Sequence, residues 1–160
     1  MMIIIQLIVY CLLFTLMVRY AVRGGAIDGL YFYPKAVQGR ALEIGLTTSE
    51  TMTKKRRVFM MEFFIVMLVA LVLIIGVWNG VSDSRTAYLY ALLFLEVMNW
   101  YDGIVIDKIW VGYSKFWMLP GCEGIPYVQT WEQVFKKRML LTIIWLFGAA
   151  IVAGIVALIF

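Results

Sequence analysis

Four long apolar runs, parted by two polar stretches and one short turn, set the rhythm of the chain. They cover residues 1–18 (MMIIIQLIVYCLLFTLMV), 58–78, 87–106 and 139–160. Each has the length of about 17–25 residues that a helix needs to cross a hydrocarbon layer. The interruptions inside them are few: Gln6 and Thr15 in the first, Glu62 in the second, Thr142 in the fourth. Only the third carries several polar groups. The runs take up about half of the chain, which leaves no space for a separate soluble domain of ordinary size. Residues 1–160 therefore read as a single integral membrane domain of the all-α class, a polytopic bundle of four transmembrane helices. The first run lacks a basic leader and a small-residue cleavage site, so it reads as an anchor rather than a signal peptide.

The two polar stretches, 19–57 and 107–138, carry their own signals. Pro34 and Gly45 bracket a segment in which Val37, Ala41 and Ile44 recur at i, i+4 and i+7. That spacing predicts a short amphipathic helix lying at the membrane interface. Thr47-Thr48-Ser49-Glu50 and Thr130-Trp131-Glu132-Gln133 read as capping boxes that open the second and fourth membrane helices. Pro120-Gly121 and Gly124-Ile125-Pro126 mark a non-helical connection. Trp110, Tyr113, Phe116, Trp117, Tyr127, Trp131 and Phe135 crowd the second stretch; such rings form an interfacial belt or wall a shallow apolar pocket.

Composition agrees with a lipid environment. Hydrophobic residues make up 64% and charged residues 15%, against about 45–50% and 25% in a soluble domain. The chain has no histidine, so imidazole metal sites and Ser-His or Cys-His pairs are excluded. The net charge of +4 is distributed unevenly. Thirteen of the fourteen Lys and Arg residues lie in the two long stretches, and only Arg85 lies in the short turn. By the positive-inside rule both long loops are cytoplasmic and both termini face outward. Cys11 then lies in hydrocarbon and Cys122 in a reducing compartment, where they do not pair. Basic residues beside a bilayer point to anionic lipid as partner rather than nucleic acid. Arg19, Arg23, Lys54, Lys55, Arg56 and Arg57 are candidate headgroup and phosphate contacts, and Lys136-Lys137-Arg138 reads as a second lipid anchor.

Candidate chemistry is concentrated in the third run. Glu96, Asn99, Asp102 and Asp107 follow one another at steps of 3, 3 and 5. At about 100° per residue Asn99 lies about 60° from Glu96, and Gly103 and Asp107 return within about 20° of it. A polar stripe thus descends one side of the helix, with a gap at Gly103. On a regular α-helix Asp102 and Asp107 point about 140° apart. A carboxyl group at mid-membrane costs about 2.5–3.5 kcal/mol on insertion scales and marks a functional site by default. Glu62, about five residues inside the second run, lies at a depth similar to Asp102. The leading expectation is an acidic cavity open to the cytoplasm that moves a proton, cation or small cationic solute. Glu96 is its reversible site, Asn99 a neutral ligand, and Asp102, Asp107 and Glu62 the vestibule. No cofactor is needed for this. An alternative is a Mg²⁺-dependent enzyme on a lipid or isoprenoid phosphate, with Asp102 and Asp107 on the metal and Arg19 and Arg23 on the phosphate. A third is a non-catalytic scaffold. Ala149, Ala153 and Ala157, with Ala150 and Gly154 beside them, form a small-residue ridge on the fourth helix that suits a homo-oligomer or a membrane partner.

Tyr33-Pro34-Lys35-Ala36-Val37-Gln38-Gly39-Arg40, Glu43-Ile44-Gly45-Leu46, Asn99-x-x-Asp102-x-x-x-x-Asp107 and Pro120-Gly121-Cys122-Glu123-Gly124 together resemble a group of small bacterial four-helix membrane proteins with no assigned activity. The resemblance spans both long loops and the third helix, and Cys122 departs from the threonine expected in its turn. It implies a bacterial inner-membrane location and supplies no reaction.

Overall fold

The computed structural model describes residues 2–160; Met1, where the first expected span begins, lies outside the described residues. Helices α1 (Met2–Ala21), α2 (Lys35–Glu43), α3 (Ser49–Trp78), α4 (Ser84–Tyr113) and α5 (Trp131–Ile159) make up the fold, with 3₁₀ turns at Ala26–Phe32 and Lys115–Trp117. No strand occurs among the described residues. α1, α3, α4 and α5 are long and apolar enough to cross a membrane, which makes the chain a helical bundle of the kind found in small integral membrane proteins. At 1.5 Å per residue, the 30 residues of α3 and of α4 reach about 45 Å. That exceeds the hydrocarbon thickness of about 30 Å.

Local chemistry explains the helix starts. Thr48 caps α3 by accepting from the Thr51 amide at 3.2 Å, and Asp83 caps α4 from the Thr86 amide at 2.8 Å. At α5 the capping box is complete. Thr130 Oγ1 accepts from the Gln133 amide and Gln133 Oε1 accepts from the Thr130 amide.

The bundle is closed mainly by the antiparallel α4–α5 pair. Small side chains let these helices approach: Ala87 and Ala91 on α4, and Ala149 and Ala153 on α5, are all buried. Two of the five α5 ridge residues are therefore used inside the chain, while Ala150, Gly154 and Ala157 remain on its exposed side. The outer faces keep their large apolar residues, among them Ile4, Ile8, Met61, Ile65, Ile143 and Ile151. Lipid is as apolar as these side chains, so burial does not select the interior here, and close fit and polar joints do. One such joint lies at the short-turn end. The amides of Gln6 and Asn79 bond reciprocally at 3.2 Å, and Asn79 Nδ2 also donates to the Ile74 carbonyl at 2.7 Å. Beside it Gly76 lets the Phe160 ring seat directly on the α3 backbone.

At the opposite end the two long loops dock on one another. Val37 and Ala41 of α2 are fully buried, and Val37 lies with Trp117, Leu119 and Cys122. The apolar side of α2, which the sequence pattern turns toward lipid, is thus covered by the second loop. Tyr33 OH donates to the Trp117 carbonyl at 2.8 Å and Arg40 Nε to the Gly121 carbonyl at 3.3 Å. The aromatic cluster divides in two. Trp117 is buried among Tyr33, Trp110 and Phe116, whereas Tyr113, Trp131 and Phe135 are exposed as belt residues are. Both cysteines are free thiols.

Candidate functional site

Asp102–Trp110 is wound as a π-helix, the i→i+5 form that concentrates at functional sites. In that winding residues five apart share a face. Asp102 and Asp107, which a regular α-helix sends in different directions, therefore turn to the same side. What they meet is Arg138, the last residue of the basic run that opens α5. Rather than anchoring to lipid, Arg138 is turned inward by the phase of α5 and is only 1% exposed. Its Nη1 donates to Asp102 Oδ2 at 2.6 Å and its Nη2 to Asp107 Oδ2 at 2.6 Å. Nη1 also approaches Asn99 Oδ1 at 3.4 Å, and Lys137 Nζ adds a bond to Asp107 Oδ2 at 3.2 Å. Gly103 supplies the space. A methyl group there would stand 2.8 Å from Arg138 Nε and 3.1 Å from its Cγ and Cδ. The gap that the sequence leaves in the stripe is filled by an arginine from the neighbouring helix.

The chain of bonds continues toward the middle of the bundle. Asn99 Nδ2 donates to the Arg138 carbonyl at 3.1 Å and to Thr142 Oγ1 at 3.3 Å, and Thr142 Oγ1 donates to Glu96 Oε2 at 2.7 Å. Glu96 Oε1 is buried with no partner. Four of the five residues expected to form the polar site, Glu96, Asn99, Asp102 and Asp107, thus belong to one network between α4 and α5. The fifth, Glu62, lies apart and exposed on α3. It stands close enough to Tyr31 that its charge and that of Asp28 add to burial in holding the Tyr31 phenol above its usual range.

Beside the network lies a cavity of about 610 Å³, walled by α1, α3, α4, α5 and the 3₁₀ turn at Ala26–Phe32. Its size is that of a small-molecule site, commonly about 300–1,000 Å³. Asn99, Asp102, Asp107, Gln129, Lys137 and Arg138 form one polar wall, and the remainder is apolar and largely aromatic. Phe14, Phe59, Phe63 and Trp145 represent that surface. Met60 and Phe64 of α3 and Ile144 of α5 are exposed as well as lining, so the cavity opens sideways between α3 and α5. The expected acidic vestibule is corrected by this arrangement, because Arg138 and Lys137 balance the two aspartates. Glu96 and Glu62 do not line the cavity, and neither do Arg19, Arg23, Lys54, Lys55, Arg56 or Arg57. These six basic side chains are exposed at the long-loop end; Arg23 stacks on Tyr20 and Lys55 pairs with Asp28.

Sequence reasoning missed Arg138 and Thr142. A signal was present: the two residues stand at i and i+4 on α5, on one helical face, and Thr142 is the only hydroxyl of the fourth apolar run. The expected Mg²⁺ role for Asp102 and Asp107 fits the donor set poorly. One oxygen of each is committed to Arg138, and among the described residues no group of three or more His, Cys, Asp or Glu converges. Comparison with protein-family models, curated proteins and solved structures finds no match to this chain.

Proposed function

We propose that this small integral membrane protein takes an amphiphilic molecule sideways from the bilayer and holds its polar end on the Asp102–Arg138–Asp107 cluster. The observation that carries this reading is the cavity itself: about 610 Å³, walled by aromatic and aliphatic side chains, charged on one wall and open between α3 and α5. Apolar walls with a few convergent polar groups are the usual form of a small-molecule site. The cluster lies near the start of the apolar part of α5, level with the headgroup region, and the aromatic wall continues toward mid-membrane, where a tail belongs.

Native mass spectrometry of the detergent-purified chain tests the reading. The expected result is one tightly retained amphiphile, lost when the mouth is blocked by Ile144→Trp, a change at an exposed position. Equal retention by wild type and Ile144→Trp refutes it.

A second reading, movement of a proton or small cation, is favoured by the bonded chain from Asp107 through Arg138, Asn99 and Thr142 to Glu96. Flux into proteoliposomes that is unchanged by Glu96→Gln removes it.

A further inference from the structure

We infer that the molecule held in the cavity carries a zwitterionic headgroup in which a primary ammonium faces Asp102 and Asp107 and a phosphate faces Lys137. The inference rests on the amphiphile-binding reading above and specifies its ligand.

The argument begins with which atoms remain available. Arg138 is buried and its terminal nitrogens are already occupied by Asp102, Asp107 and Asn99, so it offers little to a ligand. The carboxylates differ. Arg138 and Lys137 use Oδ2 of the aspartates, and Oδ1 of each has no hydrogen-bond donor among the described residues. Neither Oδ1 is among the fully buried unpartnered atoms, and both residues line the cavity. The cavity wall therefore includes two carboxylates bridged by one guanidinium, each with an Oδ1 that no donor among the described residues uses. Lys137 lines the same wall, is 43% exposed, and spends one contact of 3.2 Å on Asp107. An ammonium has three donors, so Lys137 keeps donors for a further acceptor.

Two physical conditions then select the ligand. Acceptors in a low-dielectric site bind most strongly to charged donors, and a primary ammonium supplies three N–H groups where a trimethylammonium supplies none. The second condition is charge. Two aspartates, Arg138 and Lys137 sum to zero. A zwitterion preserves that balance, whereas an anionic or cationic headgroup leaves a net charge in a poorly solvated cavity. The aromatic walls require in addition that the headgroup be attached to an apolar tail.

The experiment compares synthetic phospholipids with identical acyl chains and phosphoethanolamine, phosphocholine or phosphoglycerol headgroups, added as an equimolar mixture to the delipidated full-length chain. Native mass spectrometry reads which is retained. The expected result is at least about tenfold preference for phosphoethanolamine, the ratio that one charge-assisted hydrogen bond sustains. Lys137→Gln, at an exposed position, is expected to weaken all three by about threefold or more, because each carries the phosphate. Equal retention of the three lipids, or preference for phosphoglycerol, combined with loss in Ile144→Trp, overturns the ammonium inference and leaves the cavity reading standing. Retention of all three unchanged in Ile144→Trp overturns both. Unaltered binding in Lys137→Gln overturns the phosphate contact.

Discussion

Adding a single methyl group at residue 103 tests the centre of the polar cluster. In Gly103→Ala the new Cβ would lie 2.8 Å from Arg138 Nε and 3.1 Å from Cγ and Cδ. Those are stem atoms of a side chain whose far end is fixed by two aspartate bonds of 2.6 Å, so the arginine has no easy retreat. Two terms follow. Overpacking at a close contact costs about 1–3 kcal/mol. Lengthening one charge-assisted hydrogen bond forfeits about 1.5 kcal/mol or more. The replacement of glycine by alanine inside a helix returns about 0.5–1 kcal/mol. The net expectation is a loss of about 2–4 kcal/mol, measured by reversible unfolding in mixed micelles with the tryptophan signal as readout. Gly154→Ala on α5 is the control, since a methyl group there meets nothing within 4 Å. It should stabilise by about 0.5–1 kcal/mol, the same helix gain without the clash. Equal stability of the two variants would refute the claim that Gly103 exists to admit Arg138.

Other consequences of the structure are open to measurement. Thr142→Val removes the hydroxyl that links Asn99 to Glu96, leaves Glu96 without a partner on either oxygen, and is expected to destabilise by about 1–3 kcal/mol in the same assay. Gln6→Leu and Asn79→Leu should be strongly non-additive, with a double-mutant coupling of about 0.6–2 kcal/mol; simple additivity would deny the amide pair. The bond from the Thr86 amide holds the Asp83 carboxyl below its usual range. Its capping contribution is therefore complete above the ordinary aspartate range and is lost as pH falls through the lowered value. The protection of the Thr86 amide, its exchange rate set against the intrinsic rate at each pH, should fall on acidification in wild type and stay constant in Asp83→Asn, whose neutral amide oxygen still caps.

The membrane helices were legible in the residues because their cause is local. A bilayer leaves a backbone no partner but itself, so an apolar run of sufficient length has few choices besides a helix. The start of α5 was legible for a similar reason, since Thr130 and Gln133 satisfy one another's amides within a single turn. Gln6 stood out as a polar interruption of the first apolar run, although nothing near it in sequence named Asn79 as its partner. The helical stripe of Glu96, Asn99, Asp102 and Asp107 was also present in the spacing, and the gap at Gly103 with it.

What occupies that gap depended on tertiary structure. Charge alone classes Arg138 with Lys136 and Lys137 as a group for the lipid surface, and only the rotation of α5 against α4 separates the buried member from its exposed neighbours. Likewise, the angle between Asp102 and Asp107 is a property of helix winding, and an i→i+5 segment cannot be read from residues that would equally form an α-helix. The cavity belongs to this second class too. It arises where four helices and a loop fail to meet, and a void between elements has no sequence of its own. Composition determined four helices long and apolar enough to cross a bilayer. Packing decided that Asp102 and Asp107 are paired with Arg138 and Lys137 and set beside a chamber, because those are relations between helices rather than properties of any one of them.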